Sequence, residues 1–539
     1  MKSLLARALV FAMALPAAAA GITASGPASA VPGNPDDKTI LHVLNRIGFG
    51  ARPGDVERVR QMGLAAYIDQ QLRPDRIPDT QMAARLSSFE TLTLSSRQIA
   101  QDYYVPAQMA RRQAQLAKKD AGNDQNPSDA AKKPRTPQEM EMARKQREVV
   151  VELTEQKILR AAYSDRQLEE VLTDFWFNHF NVFAGKGPTQ EYLTAYERDT
   201  IRPHVLGKFR DLLEATAKSP AMLFYLDNWQ SADPNAADMR EQRMRPGGRG
   251  LFFPRPPQRP NQNPNAQRQK RGLNENYGRE LMELHTLGVD GGYTQDDVVN
   301  VARAFTGWTI DQPRQGGGFR FEPRLHDSRE KVVLGHRIKA GGGESDGEQV
   351  LDILAKHPST ARFISTKLAR RFVSDTPPPA LVDRAAKRFA ETDGDIREVV
   401  RTILTSPEFF SADAYRAKVK TPFEFVVSAV RATGTEVTDA MPLAQAVRQL
   451  GMPLYMCQPP TGYADRADAW VNTGALLNRM NFALQLVSGR MRGIEPGAGP
   501  VSAALANDVS PATASTIAKA GDPKQVAALT LGSPEFQRR

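Results

Sequence analysis

Cysteine is nearly missing from this sequence. Cys457 stands alone among 539 residues, so no intrachain disulfide can form and the folded state must rest on its core. With no nucleophile signature around it, that thiol reads as a small buried hydrophobe. Histidine is scarce, at seven. No His-Glu-x-x-His, Gly-x-Ser-x-Gly elbow, Walker A loop or dinucleotide fingerprint occurs. The enzyme classes that those motifs define therefore have no support. Tetratricopeptide, ankyrin and heptad periods are missing as well, which argues against a solenoid or a long coiled coil. Beyond the first thirty residues no segment is apolar enough to span a bilayer.

Positive charge is in surplus but confined. The formal net charge is +10. Residues 1–30 carry Lys2 and Arg7 without an acid, and 239–271 holds eight Arg and one Lys against one Glu. The remainder is close to neutral, so the basic character belongs to one loop and nucleic acid is not expected as a partner. Apolar residues make up 41% and charged residues 24%, enough for a sizeable core.

Residues 1–30 read as an export signal peptide. Lys2 and Arg7 precede an apolar run over 8–15, and Ala28-Ser29-Ala30 supplies small residues at the cut. An uncleaved anchor is the alternative, weakened by Pro16. The expected location is periplasmic or extracellular, with no membrane span after cleavage.

Helical periodicity dominates the rest of the chain, so the expected fold is mainly α: a large helical domain with one small β-hairpin and long mobile insertions. N-terminal helices cover 31–110 and a charged flexible segment covers 111–148. A helical core over 149–310 is interrupted by a basic Pro/Arg/Asn-rich loop at 232–272, expected to be mobile, in which Phe252 and Phe253 read as part of a disordered stretch rather than as a small docking element. The hairpin covers 311–340, with Phe319 and Phe321 on one strand and 331–335 as its return. A C-terminal helical part over 341–491 and an Ala-rich tail over 492–539 complete the chain. Residues 394–409 and 521–536 share eight of sixteen positions. Each reads as an Asp-capped helix stopped by Ser-Pro, with a Phe packing back.

Two helical stretches carry unusual polar stripes. In 170–183, Glu170, Asp174, Asn178 and Asn181 fall on one side at about 100° per residue. Aromatic residues cover the rest, with His179 beside them. In 274–288, Asn276, Glu280 and Glu283 share a face, and His285 lies opposite on an undistorted helix. Paired carboxylates suit general acid/base work or a divalent cation. Equally, they suit ion pairs with arginines that organise a bundle. The di-iron Glu-x-x-His spacing is not met, since Glu283 and His285 are two apart. Thr294 and Asp297 form a capping-box pattern, for which capping outweighs catalysis. His326-Asp327 in the hairpin connection is either a turn or a ligand and base pair. His42, His204, His336 and His357 lack acidic company and read as structural.

These motifs together resemble a family of exported bacterial proteins described as domain of unknown function 1800. The matching blocks run in order. Leu44-Asn45-Arg46-Ile47-Gly48-Phe49-Gly50 comes first, then Phe175-Trp176-Phe177-Asn178-His179-Phe180, then Asn274-Glu275-Asn276-Tyr277 through Glu283-Leu284-His285-Thr286-Leu287-Gly288. Ala304-Phe305-Thr306-Gly307-Trp308 comes next, with His326-Asp327 and Leu334-Gly335, and finally His357-Pro358-Ser359-Thr360-Ala361 leading into Lys367-Leu368. The likeness spans roughly 38 to 490. The family pattern often has His where this chain has Phe177, so a ligand role for that position would be lost here. The resemblance implies a mostly helical exported protein without an established activity. It also implies company with a co-encoded exported protein similar to sulfatases and alkaline phosphatases, or with a surface polymer.

Two functional readings stand side by side. In the first, an exported hydrolase or its subunit acts on an anionic polymer. Glu280, Glu283, His326 and Asp327 are then catalytic, His179, Glu280 and Glu283 hold a divalent metal, and Arg279 clamps the anion. In the second, the protein is a non-enzymatic scaffold or escort for an exported partner. Asp174, Asn178, Asn181, Asn276 and Asp297 are then a structural polar stripe whose two halves pair in the core. The 239–271 loop binding an anionic polymer is compatible with either.

Overall fold

The computed structural model describes residues 29–120, 137–235, 272–497 and 501–539. The stretch 1–30 expected to be an export signal lies outside the described residues, apart from Ser29 and Ala30. So does the 239–271 loop with its Phe252 and Phe253. Helices make up most of the described chain. Those that position the polar residues begin with α1 (Asp37–Ile47), α2 (Asp55–Met62), α3 (Val105–Asp120), α4 (Pro137–Tyr163) and α5 (Gln167–His179). They are succeeded by α6 (Glu275–Glu280), α7 (Gln295–Ala304), α8 (Ser345–Lys356), α9 (Pro358–Phe372) and α10 (Ile396–Leu404). The last three are α11 (Pro422–Thr433), α12 (Thr473–Ser488) and α13 (Pro523–Gly532). No helix among the described residues is long and apolar enough to cross a membrane.

One core cluster runs from Ile40 on α1 through Phe209 and Phe425 to Phe536. A small satellite of Ile99, Tyr104 and Val149 sits at the α3–α4 end. A core this continuous supplies what a chain without disulfides needs. The internal similarity reappears as packing. Asp395 and Asp522 each cap a helix by accepting from the third residue on, Glu398 N and Gln525 N. At the other ends Ser406 and Ser533 hydroxyls accept from Phe409 N and Phe536 N, both at 3.2 Å. Both phenylalanines are buried.

The strands differ from the sequence expectation. Phe319–Phe321 does not pair with 331–335. It lies antiparallel to Trp308–Ile310, with Trp308 opposite Phe321. Lys331–Val333 instead folds back on His336–Ile338. Leu334 and Gly335 both take positive φ, 50° and 78°, as a tight two-residue hairpin turn requires. A third ribbon pairs Glu436–Val437 with Ile494–Glu495. Short pairings between distant segments leave little alternation to read.

An irregular strap over 451–472 crosses the C-terminal end of α5. Such a long loop must find partners for its main-chain groups. Asn178 supplies two of them. Its Nδ2 donates to Tyr463 O at 2.8 Å, and its Oδ1 accepts from Tyr463 N at 2.7 Å. Asn181 Nδ2 donates to the Cys457 and Pro459 carbonyls at 2.9 and 2.8 Å. Gly462, at φ +72°, passes so close that a Cβ there would lie 2.2 Å from Asn178 O. Gly462→Ala is therefore expected to destabilise the protein by about 2 kcal/mol or more. A urea melt of the variant measures this, and an unchanged midpoint would contradict the tight crossing.

Candidate functional site

The first polar stripe is consumed inside the protein. Asp174 pairs with Lys157 of α4 at 2.9 Å, and Lys157 also lies 3.8 Å from Glu197. Glu197 accepts from Tyr455 OH at 2.7 Å and from Gln156 at 3.1 Å. Glu170 accepts from Arg202 at 2.6 Å. Asn178 and Asn181 hold the strap. The expectation that this stripe pairs with the Asn/Glu stripe of the second helix is therefore corrected. Its partners are Lys157 on α4, Arg202 and the main chain of the strap.

The second stripe is split by a change in helix type. After α6 the backbone becomes a π-turn over Leu281–Thr286, with Leu287 N donating to Met282 O at 2.7 Å. Thr286 hydroxyl donates to Leu281 O at 2.8 Å. The wider turn breaks the regular spacing assumed for Asn276, Glu280 and Glu283. Asn276 and Arg279 are exposed, and Arg279 donates to Gln295 at 2.8 Å. Glu280 and Glu283 are half-buried, and Glu283 accepts from Tyr293 OH at 3.1 Å. Burial first, and Glu283 second, push the Glu280 carboxyl above its usual range.

His285 turns inward and meets α5. His179 Nε2 donates to the His285 carbonyl at 3.1 Å, and Lys367 Nζ of α9 donates to His179 Nδ1 at 2.8 Å. These contacts fix the tautomer and keep His179 neutral. Burial, the Lys367 charge and His285 hold it well below its ordinary value. Lys367 is pushed down to about 8 by burial, with Arg370 adding and Asp465 opposing. His285 is pushed to about 3, chiefly by burial, and its Nε2 has no partner among the described residues. Gly288, at φ +81°, lets Phe363 of α9 pack against this turn. Three of the sequence blocks thus converge on a His179–His285–Lys367 centre.

Neither glutamate is a hydrogen-bonding, ionic or electrostatic partner of His179. Among the described residues no group of three or more His, Cys, Asp and Glu stands ready to hold a metal ion. The ligand set His179, Glu280 and Glu283 is therefore not assembled.

His326 and Asp327 also part company. His326 donates from Nδ1 to Thr306 O at 2.8 Å, and its Nε2 faces Asp346 Oδ2 of α8 at 3.1 Å. Lys331 Nζ reaches the same Asp346 oxygen at 2.7 Å. Asp327, fully buried, is gripped by Arg303 at 2.8 Å and by Arg329. Against the effect of burial, hydrogen bonds from Arg329 and Arg303 hold its carboxyl far below the usual range, which makes it a poor base. Asp297 closes a capping box with Thr294, and its Oδ1 accepts from Leu334 N at 2.7 Å, tying the hairpin turn to α7. His42, His204 and His357 each bond main chain, at Phe409, Thr200 and Ser359. Cys457 is buried, and burial pushes its thiol up to about 11.

Sequence reasoning missed an open cleft of about 800 Å³, lined by Arg52, Asp55, Arg58, Arg85, Tyr163 and Asp165 among others. Arg52 pairs with Asp165 at 2.7 Å and Arg58 with Asp55 at 3.1 Å. Arg85 pairs with Glu436 at 2.7 Å while lying 3.9 Å over the Tyr163 ring. Beneath them Arg431 is buried, donating to Gly50 O and Ala162 O at 2.7 Å and facing Asp55 at 3.2 Å. The signal was the glycine-rich turn 48–54, where Gly50 and Gly54 take φ +97° and +88°. It reads as a chain reversal and gives no hint of α4 and α11 beside it.

Three buried neutral histidines set a pH dependence. His42 and His285 sit at about 3, and His179 lies well below 6.5. Their folded-state values are depressed, so between about pH 6.5 and 3 the unfolded chain binds protons that the folded chain refuses. Stability is present above pH 6.5 and falls by about 1.4 kcal/mol per pH unit for each histidine below it. Urea melts at pH 7 and pH 5.5 test this. Equal stability, or His42, His179 or His285 titrating near 6.5 in the folded protein, would contradict it.

The order of the motifs along the chain has a family counterpart. The model of the family described as protein of unknown function (DUF1800) matches residues 42–538, nearly the whole chain. No curated protein and no solved structure matches. The block from Leu44 to Gly50, the α5 aromatics, the π-turn, and the Lys367 helix all fall inside that match, and the chain belongs to the DUF1800 family.

Proposed function

We propose that the protein works by holding a partner, and that the arginine-lined cleft is where it holds it. One observation carries this reading. Asp174, Asn178, Asn181, His179 and Asp327 of the motifs are turned onto the chain's own groups, whereas Arg52, Arg58, Arg85 and Tyr163 line about 800 Å³ of open space. Four arginines against Asp55, Asp165 and Glu436 leave the cleft net positive. Guanidinium forks match carboxylates and other planar anions in two-point contacts. The partner class is accordingly an exported polymer or protein with anionic groups on its surface. Export through residues 1–30, to the periplasm or beyond, belongs to the same proposal.

Glu280 supports a second reading, a hydrolase acting on such a polymer with Glu280 and Glu283 as its acid and base. Its carboxyl is raised by burial and by Glu283, as an acid working near neutrality needs. A hydrolytic activity lost in Glu280→Gln, with unchanged melting, would establish that reading instead.

The binding proposal is tested with fluorescent polyglutamate as probe. Wild type should bind it at low salt and release it as salt rises. Arg58→Ala/Arg85→Ala should bind at least about tenfold more weakly and still fold, since Arg431 and Arg52 remain beside the buried Asp55 and the Arg85–Glu436 pair is largely open to solvent. Deleting 239–271 should leave binding in place. Binding lost with that loop and kept in the arginine variant would overturn the cleft assignment.

A further inference from the structure

Apart from that cleft, five cations meet in the core. Arg46 (α1), Arg371 (α9), Lys420, Arg479 (α12) and Arg539 are each at most 5% exposed. Glu424 of α11 is the one carboxylate as deeply buried beside them. It accepts from Arg371 and from Thr421 N, and lies 3.1 Å from Arg539 Nε without hydrogen-bond alignment. The other nearby acids have partners of their own. Asp375 and Asp465 share the single charge of Lys418 at 2.6 and 2.8 Å, and Asp465 also offsets part of the charge on Arg46, Arg371 and Arg539 at longer range. Asp508 pairs with Lys38 at 2.9 Å and Arg416 at 3.4 Å. Glu535 accepts from Ser510 N and Thr513 hydroxyl at 2.9 and 3.0 Å.

Arg46 Nη2 donates to Ala414 O, Arg371 Nη1 to Glu424 and Arg479 Nη2 to Lys420 O, but the other arginine donors are largely unspent. Arg46 Nε and Nη1, Arg371 Nη2, Arg479 Nη1, and Arg539 Nη1 and Nη2 are buried without a hydrogen-bond partner among the described residues. Lys420 Nζ lies 3.9 Å over the Phe536 ring. Buried charge in this excess is strongly unfavourable unless an anion accompanies it. A cavity of about 10 Å³ opens at the Lys420–Arg539 edge of this cluster, lined by His42, Arg416, Lys420, Glu535, Arg538 and Arg539 among others, with Arg46, Arg371 and Arg479 outside its lining. That is room for roughly one water-sized particle, too little for sulfate, phosphate or a carboxylate ligand. His42 Nε2 donates to Phe409 O at 2.8 Å, so its Nδ1 is a lone pair that offers an anion nothing.

We propose that this cavity is a binding site for one small monovalent inorganic anion of chloride's class, held by Arg539 and Lys420, which line it beside Arg416 and Arg538. The site is structural. It lets five positive side chains from α1, α9, α12 and the two segments flanking α11 and ending α13 stay buried together. Without the anion the cluster has another relief. Burial pushes Lys420 down to about 7, with Glu424 opposing and Arg539, Arg479 and Arg416 adding, so that the lysine can shed its proton.

Crystals of the full chain soaked in sodium bromide and measured at the bromine edge decide the matter. The expected result is an anomalous peak within about 3.5 Å of Arg539 and Lys420; a cavity with no such peak overturns the proposal. In solution, chloride in place of gluconate at equal ionic strength should raise the melting temperature by roughly 1–3 °C. Lys420→Met should lose that dependence. Wild-type melting indifferent to chloride would count against the site, and the bromide map on wild type stands whether or not the variant folds.

Discussion

An asparagine amide that both donates to and accepts from the main chain of one distant residue is the constraint on which much of this structure hangs. Asn178 grips Tyr463 in this way, and Asn181 holds two strap carbonyls one turn later. Without those clamps the 451–472 segment would carry unsatisfied backbone over an aromatic helix. With them it becomes a lid of protein on α5. It also brings Tyr455 down to Glu197 and Asp465 to Lys418.

Closure explains the chemistry of the motif residues. Polar groups sealed in a helical interior either find partners or stay uncharged. Asp174 found Lys157, Glu170 found Arg202, and Asp327 found two arginines. His179 stayed neutral between a carbonyl and an ammonium. The same residue types in an open cleft would read as a catalytic centre, and sequence periodicity does not distinguish the two. The arginines around Tyr163 have the opposite circumstance. They are tied to acids yet face open space, and an approaching anion can share them.

Much of the fold was legible. The mainly helical class came from periodicity, and the Asp-capped, Ser-Pro-stopped helices at Asp395 and Asp522 came from local capping rules. The capping box at Thr294 and Asp297 was local in the same sense. What failed was non-local. Phe319–Phe321 pairs backwards with Trp308–Ile310, where the motif Thr306-Gly307-Trp308 gave no strand pattern. The face shared by Asn276, Glu280 and Glu283 assumed 3.6 residues per turn, and the π-turn at Leu281–Thr286 broke that assumption. Lys367 stood in a recognised block but carried no visible partner until α9 packed on α5. Asp346, which holds His326 and Lys331, lay in no motif at all.

The central claim is that the motif polar groups close the interior. Hydrogen exchange on Asn178→Ala/Asn181→Ala measures it most directly. The account predicts that amides of 451–472 and of the α5 C-terminal turn lose protection together, while α10 and α13 stay protected. A strap that remains as protected as in wild type would contradict the account, because it would mean that the two asparagines are free for some other task.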